Sequence, residues 1–380
     1  MSEQELPHLF RPLTLRGLTL RNRVVLSPMC QYLAVEGLVQ DWHHAHHARF
    51  AAGGLGLVFV EATAVARDGR ITHGCTGIWE DAQVPGLAAI VALHHANGGR
   101  VGIQIGHAGR RGSAERPWDG AKPITRTEGA EAAWEKVGPS ALPEQPGHPV
   151  PRALEVAEIA GIIDAFAAAA GRALQAGFDV LEIHAAHGYL LHAFLSPISN
   201  QRSDDWGGTR ENRMRLALAV TRAVRRVWPL DRPLFFRVSA VDGVEGGITI
   251  ADTVALAQAL KPLGVDVVDG SAGGMSGPAT LSGARITPGY LVPHARAVRH
   301  GAGVATMAVG AIIEPAQAEA IVAEGSADLV AMGRQMLAEP HWLYRAARAL
   351  GHPDPEAVLS ERYGFYLRRR AAVLDMGPGK

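Results

Sequence analysis

The sequence predicts a closed (β/α)₈ barrel with an N-terminal β-hairpin cap and a long loop after the third barrel strand. Eight short apolar runs, many of them rich in β-branched residues, alternate with longer stretches of helical periodicity. An open parallel sheet of that size usually carries a Gly-x-Gly-x-x-Gly turn after its first strand, and none follows the first strand here. Polar residues also gather where the runs end, as they do at the mouth of a barrel.

Composition limits the class of protein. The 380 residues are 47% apolar, which is enough for a large core, and they are expected to form a single domain over 1–380. The 37 basic and 37 acidic side chains balance, which argues against a nucleic-acid or acidic-membrane partner. Cys30 and Cys75 are too few for a disulfide framework or an iron–sulfur cluster. No apolar leader or membrane-length run is seen, so a cytoplasmic protein is expected.

The elements follow in order. Two alternating runs on either side of Gly17 predict a hairpin over residues 13–22, which could cap a larger structure. The predicted strands are 23–26, 56–61, 101–106, 180–183, 234–238, 266–269, 304–307 and 328–332. The predicted helices are 41–52, 84–97, 155–177, 209–227, 249–261, 288–300, 314–324 and 339–350.

Two segments fall outside this alternation. Residues 107–152 hold no periodic pattern and contain seven prolines, at 117, 123, 139, 143, 146, 149 and 151. A loop of that length inside a regular fold is more often an active-site lid or a subunit contact than a neutral connection. Residues 352–380 are interpreted as a C-terminal tail and a possible subunit contact.

In a barrel, the carboxyl ends of the strands face one mouth, so the residues there should surround one cavity. These residues are Cys30, Ala62, Gln104, His184, His187, Arg237, Gly310, Gly333 and Arg334. Gly310 and the Gly333–Arg334 pair follow the last two strands, where glycines let backbone N–H groups approach an anion and an arginine compensates its charge. Two left-handed turns and a surface arginine are the alternative, but the position after strands seven and eight favours phosphate.

Seven segments resemble the old yellow enzyme family over nearly the whole chain. They are residues 27–32, 61–65, 102–110, 183–190, 194–202, 207–213 and 332–334. Cys30 and the His184-Ala-Ala-His187 spacing are similar to the bacterial branch of YqjM-like and xenobiotic reductase-type ene-reductases. Val309 departs from the xenobiotic reductase type, which carries a tryptophan there.

The resemblance implies bound FMN and NADPH or NADH as the hydride donor. The implied cofactor-binding residues are Ser27, Pro28, Met29, Cys30, Ala62, Gln104, Arg237, Gly310, Gly333 and Arg334. Gln104 and Arg237 would face the pyrimidine edge, where a cation stabilises the anionic reduced flavin. Arg237 could instead form a buried ion pair, for which Glu182 on the neighbouring strand is the candidate partner. Cys30 would tune the flavin or contact the substrate, or be only a small buried hydrophobe.

The resemblance also implies the catalytic residues. His184 and His187 would hydrogen-bond the substrate carbonyl oxygen, more strongly as it gains negative charge. Tyr189 would donate the proton to the α-carbon; its alternative role is a ring packed under the 107–152 loop. Tyr32 would supply a second hydroxyl at the substrate, and Tyr366 would reach a neighbouring subunit's active site. No metal ligand is assigned, because zinc needs three or four ligands and none here completes a set.

The function implied is an FMN-dependent NAD(P)H oxidoreductase, an ene-reductase that reduces activated C=C bonds of α,β-unsaturated carbonyl or nitro compounds in a ping-pong cycle through flavin N5. One alternative is a metal-dependent barrel lyase or hydrolase that uses His184, His187 and Glu182. A non-catalytic flavin-binding protein is the other. A homodimer or homotetramer is expected.

Overall fold

The computed structural model describes residues 6–275 and 286–375. Its strands are β1 (Leu13–Leu15), β2 (Leu18–Leu20), β3 (Val24–Leu26), β4 (Leu57–Ala64), β5 (Val101–Gly106), β6 (Val137–Gly138), β7 (Arg152–Ala153), β8 (Val180–Ala185), β9 (Leu234–Ser239), β10 (Val267–Ser271), β11 (Ala305–Ala308) and β12 (Leu329–Met332). Eight of them, β3, β4, β5 and β8 to β12, form a closed parallel barrel in chain order, with β12 paired to β3. The predicted (β/α)₈ barrel is confirmed.

The helices surround the barrel. They are α1 (Asp41–Ala51), α2 (Val84–His95), α3 (Val156–Ala176), α4 (Leu190–Leu195), α5 (Arg210–Val227), α6 (Ile250–Leu260), α7 (Val292–Ala302), α8 (Pro315–Ala323), α9 (Arg334–Ala338), α10 (Trp342–Ala349) and α11 (Glu361–Asp375). Within residues 6–275 and 286–375, no helix combines the length and the apolar character that crossing a membrane requires.

Two predicted helices begin three or four residues later than expected, and proline and glycine explain both differences. Gly289 has a φ of 76°, in the left-handed region, and Pro293 is tolerated only in the first turn of a helix, so α7 begins at Val292 rather than at 288. Pro340 interrupts the last predicted helix, because the residue before a proline is pushed out of the helical region. Glu339 is accordingly non-helical and separates α9 from α10.

The N-terminal hairpin closes one end of the barrel, as predicted. β1 and β2 pair with Leu15 opposite Leu18 and Leu13 opposite Leu20. Leu15 and Leu20 join a buried cluster with side chains of the barrel strands, which include Val25, Leu57, Phe59, Val180, Phe235, Val267, Met307 and Leu329. This apolar layer fills the bottom of the barrel, so the cavity must open at the other end, where the strands finish.

A polar layer lies above the apolar one. Successive side chains on a strand point to opposite faces, so residues two positions apart share a face. Phe235 belongs to the apolar cluster, and Arg237 follows it on the same face. Asp269 follows Val267 on the neighbouring strand and pairs in register with Arg237. On β8, Glu182 follows Val180 on the same inner face and pairs in register with Gln104 of β5. The inward-facing side chains of the barrel therefore change from apolar to charged between one layer and the next.

The 107–152 loop contains more structure than the sequence indicated. β6 and β7 form a short parallel pair in which Val137 lies opposite Arg152. Near the start of the loop, Arg110 Nη2 donates to Met275 O at 2.6 Å and Arg111 Nη1 donates to Gly274 O at 2.6 Å. The loop is thereby fastened to the segment that leaves β10, at the mouth of the barrel.

Leu20→Ala should lower the free energy of unfolding by about 2–5 kcal/mol, because it removes a fully buried side chain from the apolar layer. Urea denaturation followed by tryptophan fluorescence measures the change. Leu230→Ala is the matched control, since Leu230 is 71% exposed and its truncation should have little effect. Equal losses in the two variants would show that the hairpin does not complete the core.

Candidate active site

A cavity of about 520 Å³ opens at the carboxyl ends of the strands. Eight of the residues expected at a site line it: Ser27, Pro28, Met29, His187, Arg237, Gly310, Gly333 and Arg334. They come from five separate regions of the chain, namely the loops after β3, β8, β11 and β12 and the strand β9. The Ser27 N–H donates to Met332 O at 3.0 Å, which holds the loop after β3 against the end of β12.

Arg237 of the polar layer lines the floor of the cavity, and the other residues of that layer are buried beside it. Gln104 Nε2 donates to Glu182 Oε1 at 2.8 Å. Arg237 Nε lies 3.0 Å from Asp269 Oδ2, an ion pair between β9 and β10. The ion-pair interpretation of Arg237 is thus correct in kind, but the partner we considered, Glu182, is wrong. Glu182 lies on the other side of β9 and is bonded to Gln104. Arg237 also lines the cavity, so both roles considered for it are compatible.

Burial sets the protonation of the two acids. Loss of solvent, reinforced by the nearby Asp269, raises the pKa of Glu182 to about 8. Burial also raises the pKa of Asp269, although Arg237 opposes the shift. Since Asp269 is the direct partner of Arg237, we assign the negative charge to Asp269 and a proton to Glu182 at neutral pH. Glu182 Oε2 and both oxygens of Asp269 have no hydrogen-bond partner among the described residues.

Two glycines shape the rim of the cavity. Gly310 has a φ of 106°, which a side chain rarely adopts, and a Cβ atom there would lie 2.9 Å from Leu291 Cγ. A Cβ atom at Gly333 would lie 3.1 Å from Met29 Sδ. Arg334 begins α9 directly after Gly333. Both glycines line the cavity beside Arg334, so their backbone borders it directly.

His184, His187 and Tyr189 form a compact group at the same mouth. The ring centroids of His184 and His187 are 5.1 Å apart, and that of Tyr189 is 5.0 Å from His184, each pair edge to face. His187 Nε2 is 2.7 Å from Ser271 Oγ. The Ala186 N–H donates to His184 Nδ1 at 3.2 Å, which places the proton of a neutral His184 on Nε2, as a donor.

The protonation of these three side chains follows from burial. Loss of solvent, followed by the charge of Arg237, holds the pKa of His184 and of His187 well below the usual histidine range. Both imidazoles are therefore neutral at pH 7. Burial and then Cys30 raise the pKa of Tyr189, so its phenol keeps its proton. With Ala62 and Cys75, His184 and Tyr189 line a second, much smaller pocket of about 20 Å³.

Cys30 and Tyr32 lie on the loop after β3. The Cys30 thiol is within hydrogen-bonding reach of the Tyr32 hydroxyl and the Ala62 backbone. Burial and the adjacent Glu61 raise the pKa of Cys30, which therefore stays a thiol. Tyr32 has a φ of 54°, and Glu61 Oε2 accepts from the preceding N–H of the loop, that of Gln31, at 2.8 Å. Cys30, Tyr32, Ala62 and Tyr189 thus lie close to one another.

Tyr366 lies elsewhere in the chain. Its side chain is 71% exposed on α11, and its ring contacts that of Phe365 at 5.2 Å. It lines a pocket of about 340 Å³ with Tyr344, Tyr363 and other residues near α10, and not the barrel cavity. The expectation concerned a neighbouring subunit's site, so it stays a prediction.

Sequence reasoning missed several residues of the site. Asp269 ended a predicted strand, and an acidic residue at an inward-facing position of a barrel strand was the signal that could have identified it. Ser271, which bonds His187, gave no distinct signal. His192 and Asp242 are both fully buried and bonded to each other at 2.8 Å, but they are 50 residues apart. Among the described residues, no three His, Cys, Asp or Glu side chains are grouped to hold a metal ion.

Comparisons with known proteins agree with this geometry. The model of the NADH:flavin oxidoreductase / NADH oxidase family matches residues 8–352. An NADPH dehydrogenase of Geobacillus thermodenitrificans is 44% identical over 356 residues, which cover 93% of this chain and 98% of that protein. Morphinone reductase in complex with tetrahydroNAD is similar in structure, with a TM-score of 0.75 and 28% identity over 91% of this chain and 92% of that chain.

A second similar structure is a 2-naphthoyl-CoA reductase in complex with 2-naphthoyl-CoA. It has a TM-score of 0.79 and 27% identity over 93% of this chain, which spans only 53% of that larger protein. The family match covers most of the chain and the NADPH dehydrogenase matches it nearly end to end. The chain belongs to the NADH:flavin oxidoreductase / NADH oxidase family, the old yellow enzyme family, and is an oxidoreductase of the NADPH dehydrogenase type whose cofactors are FMN and NAD(P)H.

Proposed function

We propose that the enzyme is an ene-reductase that reduces the activated C=C bond of α,β-unsaturated ketones, aldehydes, nitroalkenes or maleimides. One observation carries the proposal: two neutral imidazoles and a protonated phenol meet at the mouth of a cavity whose floor holds Arg237. That set can bind an oxygen that gains negative charge and can deliver a proton beside it. It suits an acceptor with a carbonyl or nitro oxygen conjugated to a double bond.

The residues around the cavity fit FMN. Arg237 lines it, and among the described residues its guanidinium pairs only with Asp269, so its other N–H groups are available to a polar ligand. Gln104 donates its amide N–H to Glu182, which leaves its carbonyl oxygen as an acceptor. Gly310, Gly333 and Arg334 supply exposed backbone and a cation at the rim, suited to a phosphate. Ser27 to Cys30 and Ala62 would complete the binding residues.

FMN, when bound, would supply two-electron redox chemistry between NADPH or NADH and the acceptor. His184 donates from Nε2 and His187 donates a second hydrogen bond, and together they orient the acceptor oxygen. Because both imidazoles are neutral, they hold the oxygen without fixing a full positive charge beside Arg237. Their bonds strengthen as the oxygen becomes more negative, which lowers the barrier rather than only improving binding.

Tyr189 is the proton donor in this proposal. Its phenol is buried, protonated and beside His184, so it can deliver a proton to the carbon next to the acceptor's carbonyl or nitro group. Cys30 and Tyr32 bound the same end of the site, where the thiol stays neutral and the Tyr32 hydroxyl offers a further donor. We keep assembly as a homodimer or homotetramer, and the reach of Tyr366 to a neighbouring site, as predictions.

The charge of the floor supports the same function. If Glu182 holds a proton, the floor carries one cation, Arg237, and one anion, Asp269, so it is electrically neutral before ligand binds. A negative charge on a ligand above the floor is then attracted by Arg237 and is not repelled by a second ionised carboxylate. A floor with both acids ionised would repel such a charge. The retained proton on Glu182 is therefore part of what makes the cavity suitable for an anionic ligand.

An anaerobic absorbance spectrum tests the function directly. The purified protein should be yellow, lose its visible flavin band when NADPH is added, and regain that band when 2-cyclohexenone follows. A protein that binds no flavin after incubation with FMN would overturn the cofactor assignments for Gln104, Arg237 and Arg334 together. A yellow protein that NADPH bleaches, but that no unsaturated ketone or nitroalkene reoxidises without air, would contradict the ene-reductase proposal. A yellow protein that NADPH does not bleach would favour a non-catalytic flavin-binding protein.

Tyr189→Phe should lower kcat for 2-cyclohexenone by about 10²–10⁴-fold, since it removes the proton donor and keeps the ring. Stopped-flow absorbance measures flavin reoxidation by the enone, and FMN content measures folding of the site. Tyr344→Phe is the control, because the Tyr344 hydroxyl bonds Glu356 away from the cavity. A Tyr189→Phe enzyme as fast as wild type would show that the proton comes from another group.

Glu182→Gln should reduce the pH dependence of stability in the cofactor-free chain. The pKa of Glu182 is raised in the folded state, so its contribution is fully present below the unfolded pKa of about 4.3. It is lost as pH rises towards about 8. The wild type should therefore lose stability across that window, and the variant should lose less. Urea denaturation at several pH values measures this, with the exposed Glu128→Gln as control. Parallel curves for Glu182→Gln and wild type would contradict a proton on Glu182.

A further inference from the structure

The turn that carries His187 and Tyr189 has an unusual backbone. His187 has a φ of 60° and Gly188 a φ of 77°, so two consecutive residues adopt the left-handed conformation. Glycine adopts it freely, whereas a histidine does so only when its surroundings impose it. The direction of the His187 side chain and the position of the Tyr189 ring both depend on this turn. The groups that hold the turn therefore decide where two of the three proposed catalytic side chains lie.

Three contacts from outside the turn hold its backbone. The His187 N–H donates to Ser239 Oγ at 3.0 Å, and the His187 carbonyl accepts from Arg111 Nη1 at 3.0 Å. The Gly188 N–H donates to His192 Nδ1 at 2.8 Å. Only the last of these ends on a group whose donor or acceptor character can change, because imidazole can carry its proton on either nitrogen.

His192 is itself bound to a buried acid. His192 Nε2 lies 2.8 Å from Asp242 Oδ1, and both side chains are fully buried. The other oxygen of that acid, Oδ2, accepts from Ser196 Oγ at 2.7 Å and from the Ile248 N–H at 2.8 Å. Asp242 thus has a donor at each oxygen, as a carboxylate requires. Neither His192 nor Asp242 lines the cavity.

These contacts determine the tautomer of His192. The Gly188 N–H can only donate, so Nδ1 must carry the lone pair. A neutral imidazole then has its proton on Nε2, which points at a carboxylate oxygen that can only accept. From the Ile248 N–H through Asp242 and His192 to the Gly188 N–H, each hydrogen-bonding atom can act only as a donor or only as an acceptor. The arrangement is the one in which a buried acid fixes the tautomer of a histidine, here applied to a backbone N–H.

We propose that His192 and Asp242 are positioning residues of the active site, which hold the His187–Gly188 turn in its left-handed form by presenting a lone pair to the Gly188 N–H. The inference rests on the proposed function, since it assigns the pair to the placement of His187 and Tyr189. In this proposal neither residue touches substrate or cofactor, because neither lines the cavity. Their effect passes through the backbone of the turn, so their loss should misplace the donors without emptying the cofactor cavity.

Asp242→Asn tests the proposal, because the surroundings dictate how the amide must lie. The Ile248 N–H is a fixed donor at the Oδ2 position, so the amide oxygen has to occupy that position. The amide NH₂ then faces His192 Nε2, which must become the acceptor. The proton of His192 moves to Nδ1 and points at the Gly188 N–H, two donors face to face, and the turn is displaced.

We expect the Asp242→Asn holoenzyme to bind FMN with wild-type affinity and to lose about 10²-fold in kcat for 2-cyclohexenone per bound flavin, the effect of misplacing a reacting group by about 1 Å. Ser196→Ala is the matched control. It removes one hydrogen bond from the same carboxylate but leaves Asp242 ionised and the tautomer unchanged, so its kcat per bound flavin should stay close to wild type. Counting activity per bound flavin separates misplacement from simple loss of folded enzyme.

Two results would overturn the proposal. One is an Asp242→Asn enzyme with wild-type kcat per bound flavin. The other is a Ser196→Ala enzyme that loses as much as Asp242→Asn, which would indicate general loosening of the core rather than a change of tautomer.

A measurement on the wild type stands apart from these variants. Nitrogen NMR of the histidine-labelled holoenzyme, with His192 assigned by comparison with His192→Gln, should show a neutral ring protonated at Nε2. A ring protonated at Nδ1 would overturn the inference even if Asp242→Asn failed to fold. If no unsaturated acceptor reoxidises the reduced protein, the proposed function fails, and the tautomer of His192 can still be read independently.

Discussion

The ion pair between Arg237 and Asp269 is the interaction on which the rest of the site depends. Charges inside a barrel are stable only when they are paired, and here pairing in register on adjacent strands provides the partner. The pair lies directly above an apolar layer that the N-terminal hairpin completes. Below the ion pair the barrel is filled by apolar side chains, and above it a cavity of about 520 Å³ opens. The boundary between core and site is therefore one residue layer thick, and burial in that layer raises the pKa of Glu182.

Most of the fold could be predicted from the sequence, because it depends on local patterns. The barrel strands follow from short apolar runs, and their shared mouth follows from parallel order, so Gln104, His184, His187 and Arg237 were expected near one another. Side-chain partners between distant segments were not predictable. Nothing near Arg237 in the sequence distinguishes Asp269 from Glu182 as its partner, since both lie on neighbouring strands. The His192–Asp242 pair joins residues 50 positions apart, and only the folded loops bring them together.

The loops around the mouth share a second property that the sequence did not indicate. Tyr32, His187 and Ala311 all have positive φ values, and each follows shortly after a barrel strand. Residues other than glycine adopt this conformation only where outside contacts enforce it. At Tyr32 the enforcing contacts include Arg116, which donates to its carbonyl, and Glu61, which binds the preceding N–H. At His187 they are Ser239 and Arg111. Strained backbone thus occurs at Tyr32 and His187, two residues proposed to touch substrate.

The floor and the rim of the cavity are built from different parts of the chain. Floor residues sit on strands whose register is fixed by barrel closure, whereas rim residues sit on loops that are each anchored separately. A rim loop can therefore change in length or sequence without altering the charge balance beneath it. Morphinone reductase and 2-naphthoyl-CoA reductase, at 28% and 27% identity, are named for very different acceptors and are similar to this chain in structure. In such a family, sequence changes at the rim disturb the charged floor least. A change of acceptor therefore need not entail a change of redox chemistry.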